Sequence, residues 1–347
     1  MDAGSTEFAV VLATADGIES TVGCSTHTSV LEAAERAGMI LPSLCRNGTC
    51  GACNAQVAVG DYHFGEHSDT ALGHTPPPGA VLLCRTYPRS DCRIDLAYDR
   101  SRIFDAPPSV HSATITALET VARATMRLEL TLDPGESAGA QFDPGQFVQV
   151  QIPGRDDRRA YSLANTSNWD GILELFIRLQ PGGVFSTFLT REAAVGTPLL
   201  VHAPRGAFGL HEHGMRPRWF VGGGTGIAPL LSMLRRMAEW GDPQPARLYF
   251  GANTEAEVFA TEAIEELAAA LPDFAAEICV WRPDDGVAWT GFVGTPVDAL
   301  RRDLHGVGEH PDFYVCGPPA MVERVEDALR AAGVLGDRLF VERFSAN

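Results

Sequence analysis

The chain has 347 residues, room for two or three domains with cores of their own, and it is acidic: 44 Asp and Glu face 27 basic side chains. All of those basic side chains are Arg, and a formal net charge of -17 argues against nucleic acid as a partner, because phosphate binding requires clustered cations. That charge serves solubility or docking to a basic face of another protein.

From Met1 to Val11 no basic region precedes an apolar run, and no window nears 18 uninterrupted apolar residues. Neither a signal peptide nor a membrane span is expected. Phe8–Ala13 and Ile18–Val22 predict a β-hairpin turning at Asp16-Gly17. Ser29–Gly38 predicts a short helix, with Ser29 or Thr28 as N-cap, Glu32 at capping-box distance and Gly38 as the stop. Val30, Leu31, Ala34 and Ala37 keep helical spacing and would cover one face of a sheet.

Directly after this helix comes Cys45-Arg46-Asn47-Gly48-Thr49-Cys50-Gly51-Ala52-Cys53, with Cys84 about thirty residues further on. C-x4-C-x2-C followed by a distant fourth Cys is the ligand spacing of a plant-type 2Fe–2S cluster. Gly48 and Gly51 suit a loop whose N–H groups turn toward sulfur, where a side chain would obstruct. Zinc is the rival for four thiols, but its sites usually come as two CxxC knuckles, and Cys84 stands alone. Cys24, Cys92, Cys279 and Cys316 are scattered, as in a reduced cytoplasmic protein. Strands at Asn54–Val59 and Cys92–Leu96 complete a β-grasp ferredoxin-type module, residues 1–100. His63, His67 and His74 between them are irregularly spaced around Pro76-Pro77-Pro78 and read as solvent-exposed.

A Pro-bearing stretch, residues 101–109, reads as a linker. Beyond it, Ala113–Leu118, Thr125–Leu132, Phe147–Ile152, Leu173–Leu179 and Leu199–His202 are short strands parted by turns such as Asp133-Pro134-Gly135. They predict a closed antiparallel β-barrel over 110–212. From 213 to 347, strands at Trp219, Leu248, Ile278, Phe313 and Leu339 alternate with helices at 229–240, 262–271, 296–304 and 320–332. That alternation predicts an α/β domain with a parallel sheet.

Two loops of the α/β region carry chemistry. Val221-Gly222-Gly223-Gly224-Thr225-Gly226 joins a strand to a helix, where glycines admit a pyrophosphate and the helix N-terminus attracts it. Ile227 takes the place of the last glycine of the dinucleotide fingerprint. Cys316-Gly317-Pro318-Pro319 ends a later strand, and both loops should line the crevice at the carboxyl edge of the sheet, with Cys316 beside the nicotinamide rather than simply packed in the core. In the barrel, Arg159, Tyr161 and Ser162 set a cation, an aromatic ring and a hydroxyl together. Arg178, Gly183, Ser186 and Thr187 add a second cation and a glycine turn with hydroxyls. Together these groups suit a flavin, although each alone reads as surface or turn.

Arg-x-Tyr-Ser, Gly-Gly-x-x-Ser, Gly-Gly-Thr-Gly, Cys-Gly-Pro-Pro and the terminal Glu342-Arg343-Phe344 together resemble the ferredoxin–NADP reductase superfamily. With a ferredoxin module in front, the whole chain resembles the reductase components of oxygenases. Leu83–Pro88, Phe142–Phe147, Ala160–Asn165 and Tyr249–Glu255 look closest to the reductases of soluble methane and propane monooxygenases. The resemblance implies FAD, with Arg159 at its phosphates, Tyr161 and Ser162 at its ring, Ser186 and Thr187 on the pyrophosphate side and Phe344 shielding the ring. It implies NAD(P)H over Gly222–Gly226, with Cys316 and Glu342 near the hydride-transfer centre. Asn253, Glu255 and Glu257 favour NADH over NADPH, while Arg282 keeps the phosphorylated form open. The implied partner is the di-iron hydroxylase of a monooxygenase, or else a Rieske-type ring-hydroxylating dioxygenase, served by a reductase that is a monomer on its own. A reading of another class is a non-enzymatic zinc-binding scaffold.

Overall fold

A computed structural model of the chain describes residues 7–68, 71–72, 76–105, 109–134, 139–155, 157–211, 214–284, 289–305, 307, 309–334 and 336–344. His74, Pro107-Pro108 of the expected linker and Gly135 lie outside the described residues. The chain divides into two compact units, one holding everything described up to Asp105, the other holding 109–204 and 208–344.

In the first unit the expected hairpin forms as β1 (Glu7–Ala13) and β2 (Glu19–Ser25), and Gly17 supplies the positive φ of 82° that its turn needs. Helix α1 (Val30–Arg36) starts at Ser29, whose side chain accepts from the Glu32 N–H while Glu32 reaches back to the Ser29 N–H. Then come β3 (Asn54–Val59), β4 (Tyr62–Phe64), β5 (Ala80–Leu82), β6 (Thr86–Pro88) and β7 (Cys92–Asp95). The five-stranded sheet runs β2-β1-β7-β3-β5, with β1 and β7 parallel, and β4 and β6 make a separate pair. Val10, Leu12, Val22, Val30, Leu31, Ala34 and Ile94 form its core, so Val30, Leu31 and Ala34 of the expected apolar face cover the sheet, whereas Ala37 caps the end of the helix and is exposed. The first part of the expected linker packs within this unit: Ile103 is buried and Phe104 bridges to Ile40.

The second unit opens with β8 (Val110–Ala122), β9 (Thr125–Leu132), β10 (Phe147–Gln151), β11 (Arg158–Ser162), β12 (Ile172–Arg178), helix α2 (Val184–Arg191) and β13 (Pro198–Arg205). The strand order is β11-β10-β13-β8-β9-β12, and a Leu163–Leu175 bridge joins the two ends, closing the antiparallel barrel. Helix α2 stands where the sequence suggested only a glycine turn. Phe185, Phe188 and Leu189 recur at helical spacing and are buried against the barrel, but the run is too short to declare itself beside Gly182-Gly183.

The α/β part continues with β14 (Arg218–Gly223), α3 (Ile227–Trp240), β15 (Ala246–Ala252), α4 (Thr261–Ala270), β16 (Phe274–Val280), β17 (Phe292–Val293), α5 (Pro296–Leu304), β18 (Asp312–Gly317), α6 (Pro319–Ala331) and β19 (Leu339–Arg343). The strands pair in parallel in the order β17-β16-β15-β14-β18-β19. β14, buried at every position, lies inside the sheet, with one apolar cluster against α3 and α4 and another against α5 and α6. No helix among the described residues is long and apolar enough to cross a membrane.

Candidate redox centre and nucleotide crevice

The cysteine loop is shaped by backbone conformations that suit glycine: Gly48 and Gly51 have φ of 81° and 78°. A Cβ on Gly48 would lie 2.9 Å from the Arg85 side chain and 3.1 Å from the Glu66 carbonyl, so the loop is pressed onto the segment that carries Cys84. The thiols meet two by two. Cys50 hydrogen-bonds Cys45, and Cys53 hydrogen-bonds Cys84, while the second pair also feels the charge of the first. The Thr49 N–H donates to Cys45 Sγ over 3.4 Å. Hydrogen bonding from Cys50 first, and then from Thr49, holds Cys45 down at about 4, whereas the bond to Cys45 together with burial pushes Cys50 up.

Among the described residues no three metal-ligating side chains converge on one point. A single zinc needs its thiolates around one centre. Two facing pairs suit two metal atoms side by side, and so fit the 2Fe–2S cluster the spacing predicts. His63 and His67 are exposed, as expected, with His67 stacked on Phe64 at 4.0 Å.

In the second unit Ser162 at the end of β11, Cys316 near the end of β18 and Glu342 on β19 come together. Ser162 Oγ donates to the Glu342 carboxylate over 3.3 Å, and Cys316 Sγ lies 3.8 Å from the same oxygen. Burial raises Glu342 to about 7 despite those two hydrogen bonds, and burial followed by the neighbouring Glu342 charge raises the Cys316 thiol well above its ordinary value. Phe344 follows at once, its N–H donating to the Gly317 carbonyl over 3.0 Å. Tyr161 packs on Phe185 of α2 with ring centroids 5.4 Å apart.

Gly183 precedes α2 and Gly226 precedes α3, and neither helix has a side-chain cap; the Ile227 N–H of α3 is already bonded to the Gly224 carbonyl through the 3-10 turn that leads into the helix. Ser186 is already used locally, its hydroxyl accepting from the Gln180 N–H over 2.9 Å. Gly226 meets the other loop so closely that a Cβ there would sit 2.3 Å from the Cys316 carbonyl oxygen. Gly317 has φ of 157°, and its own Cβ would lie 3.2 Å from the Gly223 nitrogen. The two strand-end loops thus face one another across the carboxyl edge of the sheet, as Gly222–Gly226 and Cys316-Gly317-Pro318 predicted.

The remaining predicted residues lie beside this crevice. Arg159 donates to the neighbouring Arg158 carbonyl over 3.0 Å. Arg178 forms an ion pair with Glu257 at 3.4 Å, and Asn253 donates to Glu257 over 2.9 Å. Arg282 stacks on Trp281, its guanidinium carbon 3.8 Å from the ring centroid. Sequence reasoning missed Glu174, Arg127 and Arg235, a set in which two half-buried guanidinium groups pair with one buried carboxylate. Its one signal was an acid inside Leu173-Glu174-Leu175-Phe176, a strand buried on both faces.

Three family profiles tile the chain: a 2Fe-2S iron-sulfur cluster binding domain over 13–89, an oxidoreductase FAD-binding domain over 112–209 and an oxidoreductase NAD-binding domain over 220–327. The toluate 1,2-dioxygenase electron transfer component of Pseudomonas putida is 35% identical over 96% of this chain and 97% of its own. The chain belongs to the iron–sulfur flavoprotein reductases of oxygenase systems. This reductase is also similar to methane monooxygenase component C of Methylosinus trichosporium, 41% identical over 75% of this chain and 76% of that one. The propane 2-monooxygenase reductase of Rhodococcus jostii is 34% identical over 91% and 86%. Among solved structures, Amycolatopsis cytochrome P450 reductase GcoB superposes with a TM-score of 0.72 at 31% identity, over 98% of this chain and 99% of its own. The reductase is an NAD-binding oxidoreductase with a 2Fe–2S ferredoxin domain and an FAD domain, and it transfers electrons within an oxygenase system. A zinc scaffold that is not an enzyme is thereby overturned.

Proposed function

We propose that this reductase carries electrons from NADH through FAD and the 2Fe–2S cluster to the di-iron hydroxylase of a methane- or alkane-type monooxygenase. The observation that carries this reading is the 41% identity to methane monooxygenase component C, joined by several propane monooxygenase reductases. Bound FAD would supply the capacity to take two electrons as hydride and part with them singly, and a bound cluster the capacity for one-electron transfer.

Cys45 and Cys50 would hold one iron, Cys53 and Cys84 the other. Arg159 would neutralise flavin phosphates, with the open first turn of α2 and Thr187 on the same diphosphate. Tyr161 and Ser162 would orient the ring, and Phe344 would cover the face that the nicotinamide must reach. The Gly222–Gly226 loop and the first turn of α3 would receive the nucleotide diphosphate, against Gly317 and Pro318. Arg178, although named with the flavin residues, is engaged by Glu257 and would act instead by steadying the nucleotide loop. Glu257 also supports NADH, because its carboxylate and the Asn253 amide sit where a 2′-phosphate needs cations.

The dioxygenase relative of nearly full-length coverage supports the second reading, a Rieske-type terminal oxygenase. An anaerobic mixture of reductase and NADH is the test, with electron delivery followed to a purified di-iron hydroxylase and to a Rieske oxygenase. Bleaching of flavin and cluster with fast delivery to the di-iron protein supports the proposal. Fast delivery to the Rieske centre alone replaces it. A ratio of kcat/KM for NADH over NADPH below one refutes the nucleotide assignment.

A further inference from the structure

Helix α3 does two things at once. Its first turn follows the glycine loop of the nucleotide crevice, and its flank grips the barrel immediately after the flavin strand. Ser232, Arg235 and Glu239 recur at helical spacing and all face residues 164–166. Ser232, fully buried, donates to the Asn165 carbonyl over 2.6 Å. Arg235 donates to the Ala164 carbonyl over 2.9 Å and pairs with the Glu174 carboxylate, and Thr166 donates to Glu239.

The other side of the same segment is sewn to β12. Ala164 donates to the Glu174 carbonyl over 2.9 Å, and the Asn165 side chain accepts from the Glu174 N–H over 2.9 Å. Glu174 is only 7% exposed, and its second oxygen accepts from Arg127 over 2.7 Å. Burial alone would raise this carboxyl, but Arg235 and Arg127 outweigh it and keep it ionised. Ser162, two residues before Ala164, contacts Glu342 beside Cys316. The Arg235–Glu174 ion pair therefore joins the helix of the nucleotide loop to β12, and the Ala164 and Asn165 hydrogen bonds tie both to the segment that follows the flavin strand β11.

A buried ion pair is poor evidence for stability, since well-packed apolar residues of similar volume usually serve as well or better. A device that favours one register suits a positioning role instead. We propose that Glu174 and Arg235 are positioning residues for hydride transfer, setting the height of the nicotinamide over the flavin. The proposal rests on the reading that NADH reduces a flavin held by the barrel. A misplacement of about 1 Å at such a centre costs roughly 100-fold in rate.

The test uses the holoprotein with Arg235→Gln, Arg235→Lys, and the double variant Glu174→Met with Arg235→Met, which removes both charges of the pair and leaves Arg127 its Glu129 partner. Stopped-flow mixing with NADH reads the limiting rate of flavin reduction, the NADH dissociation constant and the long-wavelength flavin–nicotinamide absorbance band. Thermal melting is followed alongside. Expected are limiting rates lowered at least about tenfold in Arg235→Gln and in the double variant. Dissociation constants should stay within about twofold, the absorbance band should weaken, and Arg235→Lys should recover part of the rate. If Arg235→Gln misfolds, the double variant alone decides. A wild-type limiting rate in the double variant overturns the proposal, as does a lowered melting point with unchanged flavin reduction. Failure of NADH to reduce wild-type flavin would instead sink the underlying reading.

Discussion

Glu342 is the residue whose chemistry is most altered by its surroundings. Burial raises its carboxyl to about 7 from an ordinary 4.5, so folding favours the protonated form. Below pH 4.5 the group is neutral in both states and costs nothing. As pH climbs from there to about 7 the unfolded chain ionises first, and the fold loses roughly 3 kcal/mol before levelling off. Glu342→Gln should therefore flatten the fall in melting temperature between pH 5 and pH 8, and should remove any inflection near pH 7 from the rate of flavin reduction by NADH. An unchanged pH profile in the variant would assign the inflection to another group. Gly226 makes a simpler case. Its missing Cβ is replaced by the Cys316 carbonyl, a backbone atom with nowhere to go. Gly226→Ala should part the two crevice loops, at a cost of about 1–3 kcal/mol from overpacking. NADH binding should weaken by at least about tenfold, with the visible spectrum of the cluster intact. Equal NADH affinity in this variant would show that the loops do not need to touch.

At the scale of elements, α1 shows how a short helix is fixed by its ends. It has only seven residues, too few to persist alone, yet it leads directly toward the cysteine loop. Ser29 and Glu32 satisfy two otherwise orphaned N–H groups, and Ser29→Ala should cost about 1 kcal/mol. Faster bleaching of the cluster absorbance on mild heating is the measure, and an unchanged bleaching rate would mean that the loop holds its shape without the helix. The capping box was legible in the sequence because its signal is local: two residues three apart before an apolar stripe. The cysteine loop and the glycine loop were legible for the same reason. What escaped depended on distant partners. α2 carries three apolar residues whose meaning comes from the barrel they cover, and β4 pairs with β6 across more than twenty residues. The Glu174 network joins β9, β12 and α3, and no spacing rule brings those three positions together. Arg178 adds an instance: its ion pair with Glu257, in the turn after β15, is made by tertiary packing that no spacing shows.

For the molecule as a whole, the division into two units places the thiol set and the nucleotide crevice in different compact bodies. The Ser162, Cys316 and Glu342 cluster and both glycine loops belong to the second unit, while all four paired thiols belong to the first. The first unit packs its own core around Val10, Val30 and Ile94, and none of the nucleotide crevice is built from those residues. A lesion in the thiol set should consequently leave the entry step untouched. Cys50→Ser replaces a thiolate by a poor iron ligand in one of the two pairs, and an oxygen there should lower cluster occupancy or shift its potential. Ferricyanide, a small outer-sphere oxidant, takes electrons wherever they are exposed, whereas a protein acceptor such as cytochrome c draws on the exit port. In Cys50→Ser the NADH–ferricyanide rate should stay within about twofold of wild type, and the NADH–cytochrome c rate should fall by at least about tenfold. Melting of the second unit, followed by flavin fluorescence, should not move. If cytochrome c reduction survived at full rate, the flavin itself would be the exit, and the cluster would have to be given another role.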